Sequence, residues 1–417
     1  MDSKVEPQQT GSSAAPERVK FLDRSTPPHM FTLVVAASTA ALSTNLFLPS
    51  LPSMATYFKT DYSVIQLAVS LYLVAQAVLQ LGIGPASDRF GRRPVMIFGF
   101  TVFLISTIAA LWAPNVQVLL ACRLLQAFAA SGIVLARAIV RDTAEPADAA
   151  AKLGYVMMCM TVAPMIGPMI GGFLDEIYGW QASFYMMAVF GAVAIFIAYK
   201  DLGETNLYKS PSMLAQMKSY PEVIKSRRFW GYSLTAACSS GAFFAFIGGG
   251  PFVSTEILGM SPTQYGIYFG TVSLGYAAGN FLSARFTRKV GINNMMQLGN
   301  CVGLLSMVIC ISLFLAGYNH PLSLFAPMML LGVGSGLTQP NAATGMVSVR
   351  PRLAGSASGL GGSIQVAGGA TFAVLAGLLI SEKTGVYPLL IVMGGALVMA
   401  MLATAYVIRV AKQAGDI

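Results

Sequence analysis

Charge is scarce in this chain. Asp, Glu, Lys and Arg make up 10% of its 417 residues, against about 25% in soluble domains. Apolar residues reach 55% and mean hydropathy is +0.66, which excludes a water-soluble core of this size. Histidine is scarcer still: His29 and His320 are the only two, one in the N-terminal tail and one in a polar loop. None of the 17 carboxylates falls within a long apolar run. The five cysteines (Cys122, Cys159, Cys238, Cys301, Cys310) all do, without C-x-x-C or metal-ligand spacing. They read as small hydrophobes, so neither disulfides nor a metal site is expected, and nothing calls for a cofactor. A nucleotide-binding loop is missing too. The run Gly332-Val333-Gly334-Ser335-Gly336 lies inside an apolar stretch, so ATP-driven pumping would need a partner to supply the nucleotide site. The G-x-S of Gly361-Gly362-Ser363-Ile364 has no His or Lys within any span to serve as base, so an intramembrane enzyme is not expected.

What the chain has is apolar length. About twelve runs reach the roughly 20 residues that cross a bilayer. They lie near 32–52, 65–85, 95–113, 117–139, 152–174 and 182–199, then 229–250, 264–284, 294–316, 322–344, 356–380 and 387–408. The pattern predicts an all-α integral membrane fold of twelve transmembrane helices in two pseudo-symmetric six-helix bundles. Residues 1–30, rich in Pro, Ser and Gln, read as a disordered cytoplasmic tail without a signal-peptide cleavage site. Bundles over 31–200 and 229–410 then flank a polar, basic linker over 201–228, and 411–417 form a second short tail.

The net charge of +9 has a topological meaning. With the N-terminus in the cytoplasm, 23 of the 26 Lys and Arg residues fall on the cytoplasmic side, and only Lys59 and Lys383 on the other. The positive-inside rule then places both termini in the cytoplasm of a multi-pass inner-membrane protein. No basic patch is interleaved with aromatics, so nucleic acid is not an expected partner. Membrane lipid and a small molecule are, for a protein expected to act as a monomer.

The remaining cation is Arg123, inside the apolar run Val116–Ile139. A charge in hydrocarbon costs several kcal/mol by common scales and marks a functional position by default. Two readings stay open: it faces a central cavity beside Gln126, or it snorkels to the nearby membrane surface. Between spans two and three the chain reads Gly84-Pro85-Ala86-Ser87-Asp88-Arg89-Phe90-Gly91-Arg92-Arg93-Pro94. Gly91 suits a tight turn there. Span five carries Pro164-Met165-Ile166-Gly167-Pro168-Met169-Ile170-Gly171-Gly172. Gly167 and Gly171 share a face and allow close helix approach, while Pro168 removes a backbone bond and bends the helix.

The G-x-x-x-D-R-x-G-R-R spacing of the loop closely resembles the loop 2–3 motif of the major facilitator superfamily. Arg123-Leu124-Leu125-Gln126 resembles that family's R-x-x-Q, and span five its antiporter-type G-P-x-x-G-G. With Leu48-Pro49-Ser50-Leu51-Pro52 closing span one, the chain is similar to the bicyclomycin/chloramphenicol-resistance subfamily of drug–proton antiporters. The resemblance implies a gating latch of Asp88, Arg89, Arg92 and Arg137, with Asp88 pairing Arg92 or Arg137 or facing the start of span eleven. It also implies a seal at Gly167, Pro168 and Gly171, although packing alone would explain these glycines. The second-half loop, Arg285-Phe286-Thr287-Arg288-Lys289-Val290-Gly291, keeps the basic residues without the Asp, as a degenerate repeat would.

One departure matters. Many members carry Asp in a D-x-Y-L-P pattern where this chain has Asn45-Leu46-Phe47-Leu48-Pro49. Asn cannot exchange a proton, so any coupling falls to rim carboxylates: Asp88, Asp142, Asp61, Asp175, Glu176 or Glu256. Asn45 remains a polar anchor or a helix–helix hydrogen bond. Expected cavity lining is Asn45, Tyr72, Gln76, Arg123 and Gln126 from the first half, with Phe243, Phe246, Gln339, Asn341 and Gln365 from the second. The expected function is secondary export of amphiphilic molecules or drugs by alternating access, coupled to protons. An uncoupled importer or facilitator of a small metabolite is the alternative.

Overall fold

The structure, a computed structural model, describes residues 19–144, 146–206, 220–350, 353–381 and 383–413. Part of the expected N-terminal tail, the middle of the linker (207–219) and the last residues of the second tail lie outside them.

The chain is helical, with no strand among the described residues. Its long helices are α1 (Met30–Asn45), α2 (Leu67–Phe90), α3 (Arg92–Leu111), α4 (Val116–Thr143), α5 (Pro146–Tyr178) and α6 (Gln181–Asp201). The second half repeats them as α7 (Arg227–Phe252), α8 (Pro262–Val290), α9 (Ile292–Leu315), α10 (Pro321–Ser348), α11 (Ala354–Leu379) and α12 (Tyr387–Gln413). Among the described residues ten helices are long and apolar enough to span a bilayer, and α5 and α8 complete the twelve.

Packing repeats with an offset of six helices. α1 packs on α4, α5 and α6, and α7 correspondingly on α10, α11 and α12. α3 meets α4 and α6 as α9 meets α10 and α12. The turns repeat as well: Gly91 ends α2 at φ 106° and Gly291 ends α8 at φ 86°, a backbone conformation open mainly to glycine. At Gly91 a Cβ would also meet the Glu204 carboxylate at 2.3 Å. Two seams join the bundles, α2 against α11 and α5 against α8.

Two helices break where polar function was expected. α1 ends at Asn45, and a 3₁₀ turn over Leu48–Ser50 leads into Leu51–Tyr57, because Pro49 and Pro52 cannot donate to the preceding turn. α4 loses α-geometry over Ala127–Ala129, directly after Gln126. The part of the expected tail that is described is docked. The Asp201 carboxylate, fully buried, accepts from the backbone of Leu22 (2.6 Å) and His29 (2.8 Å) and from the Thr32 hydroxyl.

The hydrophobic core is continuous across both bundles toward one end, running through Leu46, Tyr72, Phe184, Phe246, Phe269 and Leu389. Toward the end bearing Gly84–Pro94, here the basic end, it divides. One cluster around Phe100 and Ile139 belongs to the first half, and another around Phe229 and Met346 to the second. The bundles are therefore fused by apolar packing at one end and separate at the other.

Candidate functional site

At the basic end, Gly91 turns the chain so that α3 begins at Arg92, which is 4% exposed. Its guanidinium bridges two carboxylates, Asp88 one turn back on α2 and Asp142 at the end of α4, the latter at 2.9 Å, and also donates to the Ser87 hydroxyl. Glu204, past α6, accepts from the backbone N–H groups of Arg92 (2.8 Å) and Arg93 (3.4 Å), where a carboxylate suits a helix N-terminus. Of the partners considered for Asp88, Arg92 forms an ion pair with it. Arg137 and Asp88 nevertheless line a common cavity of about 160 Å³ with Ser356 and Gly359 at the start of α11. Arg89 points elsewhere, its guanidinium 5.3 Å from the Phe90 ring.

Arg123 is fully buried, which removes the snorkelling alternative. Its Nε donates to the Ala68 carbonyl at 3.0 Å, Nη2 to the Ser43 carbonyl at 3.1 Å, and Nη1 to the Gln126 side chain and, at 3.4 Å, the Ser43 hydroxyl. The guanidinium lies 4.2 Å from the Phe47 ring and 4.6 Å from the Tyr72 ring, where cation–π attraction offsets lost hydration. The residue thus ties α1, α2 and α4 together. Tyr72, also buried, donates to the Ala40 carbonyl at 3.2 Å. Asn45 donates to the Ala41 carbonyl at 2.8 Å while its Oδ1 has no partner, and Gln126 keeps an unpartnered Nε2. Unpaired buried amide groups cost about 1–3 kcal/mol each, and both are competent to bind a polar ligand group. Gln76 is buried on α2, one residue before Ala77, whose carbonyl accepts from Ser363 of α11 at 2.7 Å.

A second polar cluster occupies the other bundle. Gln339 of α10 and Gln365 of α11 both donate to the Ser240 hydroxyl of α7, at 2.8 and 2.9 Å. Ser240 carries no sequence signal that would have marked it. Two expected lining residues are committed to packing instead. Phe246 has no exposed surface and stacks on Phe269, with Phe325 edge-on. Asn341 fastens α8 to α10, donating to Ser283 at 2.8 Å and accepting from Thr287 at 3.1 Å. Phe243 is half-buried beside Phe244 and Phe269.

The span-five motif packs in two directions. A Cβ on Gly171 would lie 1.6 Å from the Leu46 carbonyl and one on Gly167 3.4 Å from Asn45, so this face rests on α1. The other face forms the inter-bundle seam, where Cβ atoms on Gly172 and Gly266 would meet the Pro262 and Pro168 carbonyls at 2.2 and 2.3 Å. The α8 glycines divide in the same way: Gly266 faces the first bundle, while Gly275 and Gly279 face α10. Beyond the core, Tyr62 donates across the bundles to the Gly248 carbonyl (2.8 Å) and Gln66 to the Ala373 carbonyl (2.6 Å).

The rim carboxylates differ in setting. Asp88 and Asp142 share Arg92, whereas Asp61 and Glu256 line an open cavity of about 770 Å³ with Lys59. Asp175, just past the apolar stretch of α5, is buried and accepts from the Ser53 hydroxyl at 2.8 Å. Burial raises its pKa above the usual carboxylate value, only partly opposed by Ser53 and Ser50. Glu176 beside it is exposed and held below that value by hydrogen bonding to Thr263. No cluster of metal-ligating side chains occurs among the described residues.

The sequence model of the Major Facilitator Superfamily matches residues 33–373 and 250–416. The chain is 30% identical over 363 residues to an uncharacterised MFS-type transporter, YdgK of Bacillus subtilis (strain 168), covering 85% of this chain and 89% of that protein. It is 26% identical to the bicyclomycin resistance protein homolog of Haemophilus influenzae, over 91% of this chain and 96% of the relative. Multidrug resistance protein D of Escherichia coli (strain K12) is also 26% identical, over 88% and 93%. Among solved structures, a bacterial homolog of the human lysosomal transporter Spinster, inward-facing and occupied, superposes with a TM-score of 0.70. It is 16% identical, over 92% of this chain and 96% of that one.

Proposed function

The chain belongs to the major facilitator superfamily of membrane transporters, and we propose that it is a secondary active exporter of amphiphilic small molecules. The observation that carries this reading is the apolar core, fused across the bundles at one end and divided at the basic end. Rocking the two bundles about the seams exchanges which end is open, and that is alternating access. The drug-resistance names of several relatives favour amphiphiles and the outward direction.

Substrate is held between the two polar clusters, Asn45, Tyr72, Gln76, Arg123 and Gln126 on one side and Ser240, Gln339 and Gln365 on the other. The latch of Asp88, Arg92 and Asp142 sets the balance of states, with Arg89 and Arg137 beside it. Leak is prevented at the α5–α8 seam, where Pro168 and Gly172 meet Gly266 and Pro262, while Gly167 and Gly171 hold α5 against Asn45 and Leu46. Both termini face the cytoplasm of a bacterial inner membrane, and the monomer is the working unit, with bundles over 31–200 and 229–410. Asp175 is the proton carrier of choice, being buried, hydrogen-bonded and without a cation among the described residues.

The test is accumulation of a panel of radiolabelled or fluorescent amphiphiles in cells with and without the protein, before and after an uncoupler. Export predicts lower accumulation that the uncoupler restores. Raised accumulation indifferent to the uncoupler would establish the importer instead.

A further inference from the structure

An apolar groove of about 540 Å³ opens on the outer surface of the first bundle, between α2, α3 and the broken part of α4. Its wall is periodic: Val78, Gly82, Ala86 and Phe90 recur every fourth residue along α2 and share one face. Two features set it apart from an ordinary lipid-facing surface. At Gly82 an added Cβ would meet nothing within 4 Å, so a position where most helices carry a side chain is open space. At the floor, the buried Ser131 hydroxyl has no hydrogen-bond partner. The groove runs toward the basic end and finishes at Phe90, 54% exposed, with the Arg89 guanidinium over its ring. Among the described residues Arg89 has no carboxylate partner.

We propose that this groove is a binding site for one anionic phospholipid, with an acyl chain lying along Gly82 and the phosphate at Arg89. In a bilayer an acyl chain gains little by leaving its neighbours, since lipid tails are as apolar as the groove. Shape therefore decides occupancy, and the open space at Gly82 supplies it. Headgroup choice comes from charge. A single Arg near an anionic surface is worth roughly a fivefold preference, and no anion among the described residues neutralises this one. The site is independent of transport direction and of the polar clusters between the bundles.

Native mass spectrometry of the full-length protein, released from nanodiscs of mixed phosphatidylglycerol and phosphatidylcholine, tests this. The wild type should retain one phosphatidylglycerol in clear excess over phosphatidylcholine. Gly82→Leu, which fills open space and raises helix propensity, should lose both adducts while its thermal unfolding stays unchanged. Arg89→Ala should keep an adduct but lose about fivefold of its headgroup preference. Retention of the adduct by Gly82→Leu overturns the proposal, as does a wild type without headgroup preference or one retaining detergent alone. A dimer abolished by Gly82→Leu would assign the groove to a second copy and also overturn it.

Discussion

Arg123→Ala should both weaken the fold and abolish transport, and the contacts allow the cost to be worked out. The guanidinium serves the Ala68 and Ser43 carbonyls, the Ser43 hydroxyl and the Gln126 amide, from between two aromatic rings. Truncation orphans the Gln126 oxygen, at about 1–3 kcal/mol, and forfeits about 2 kcal/mol of desolvated cation–π attraction. The two carbonyls also lie in helical segments, so their loss weighs less. A total of about 3–5 kcal/mol is consistent with breaking a buried charged network. Arg123→Lys keeps the charge but cannot serve all four acceptors from one plane or stack a planar cation on the rings, so roughly half that loss should remain. Thermal unfolding in detergent and substrate efflux, measured on the same preparations, give the two readouts. If the alanine variant unfolds and transports as the wild type does, Arg123 neither braces α1, α2 and α4 nor takes part in the site.

Asp88→Asn should leave the fold intact, because Arg92 keeps Asp142, and should shift the balance between inward- and outward-open states. A latch of about 1–3 kcal/mol changes populations roughly 5–150-fold; an unaltered labelling pattern of single cysteines on a cysteine-free background would count against it. Asp175, raised by burial, contributes stability that is fully present below the ordinary carboxylate value and is lost as pH rises through its higher folded value. Asp175→Asn should flatten unfolding curves across the mildly acidic range and uncouple gradient-driven transport in proteoliposomes, and persistence of both dependences would exclude it as the carrier. Asn45→Asp should add a new pH dependence, since a carboxylate placed in the buried setting of Asn45 is pushed toward neutrality.

Much of this was legible in the sequence because hydrophobic length and charge placement act locally. Twelve runs anticipated twelve helices, and the glycine before Arg92 anticipated a positive-φ turn. The helix ends were less legible. α5 begins at Pro146, α2 continues to Phe90 and α8 to Val290, since polar residues at a membrane surface remain helical after the apolar signal stops. The break after Asn45 follows from Pro49 and Pro52, but that after Gln126 needed tertiary context, since Ala127–Ala129 carries no breaker residue. Residue roles in the second bundle were least legible. Phe246 and Asn341 share composition with cavity lining, and only their neighbours, Phe269 and Ser283, assign them to packing.

The packing of α5 beside Asn45 gives a route by which a transporter without the usual span-one carboxylate would still move protons. Gly167, Gly171 and Asp175 recur every fourth residue on one face of α5, and that face follows the chain from Asn45 at the end of α1 through Leu46 to Ser53 in the helix Leu51–Tyr57. Eight residues of helix correspond to about 12 Å. A proton site at Asp175 would thus share the packing face of α5 that meets position 45, displaced toward the rim opposite the basic end. At that rim Tyr62 and Gln66 hold the bundles together. Protonation there would act directly on the contacts that close this end. Substrate binding at Asn45 and proton binding at Asp175 would then be coupled through the packing of one helix face.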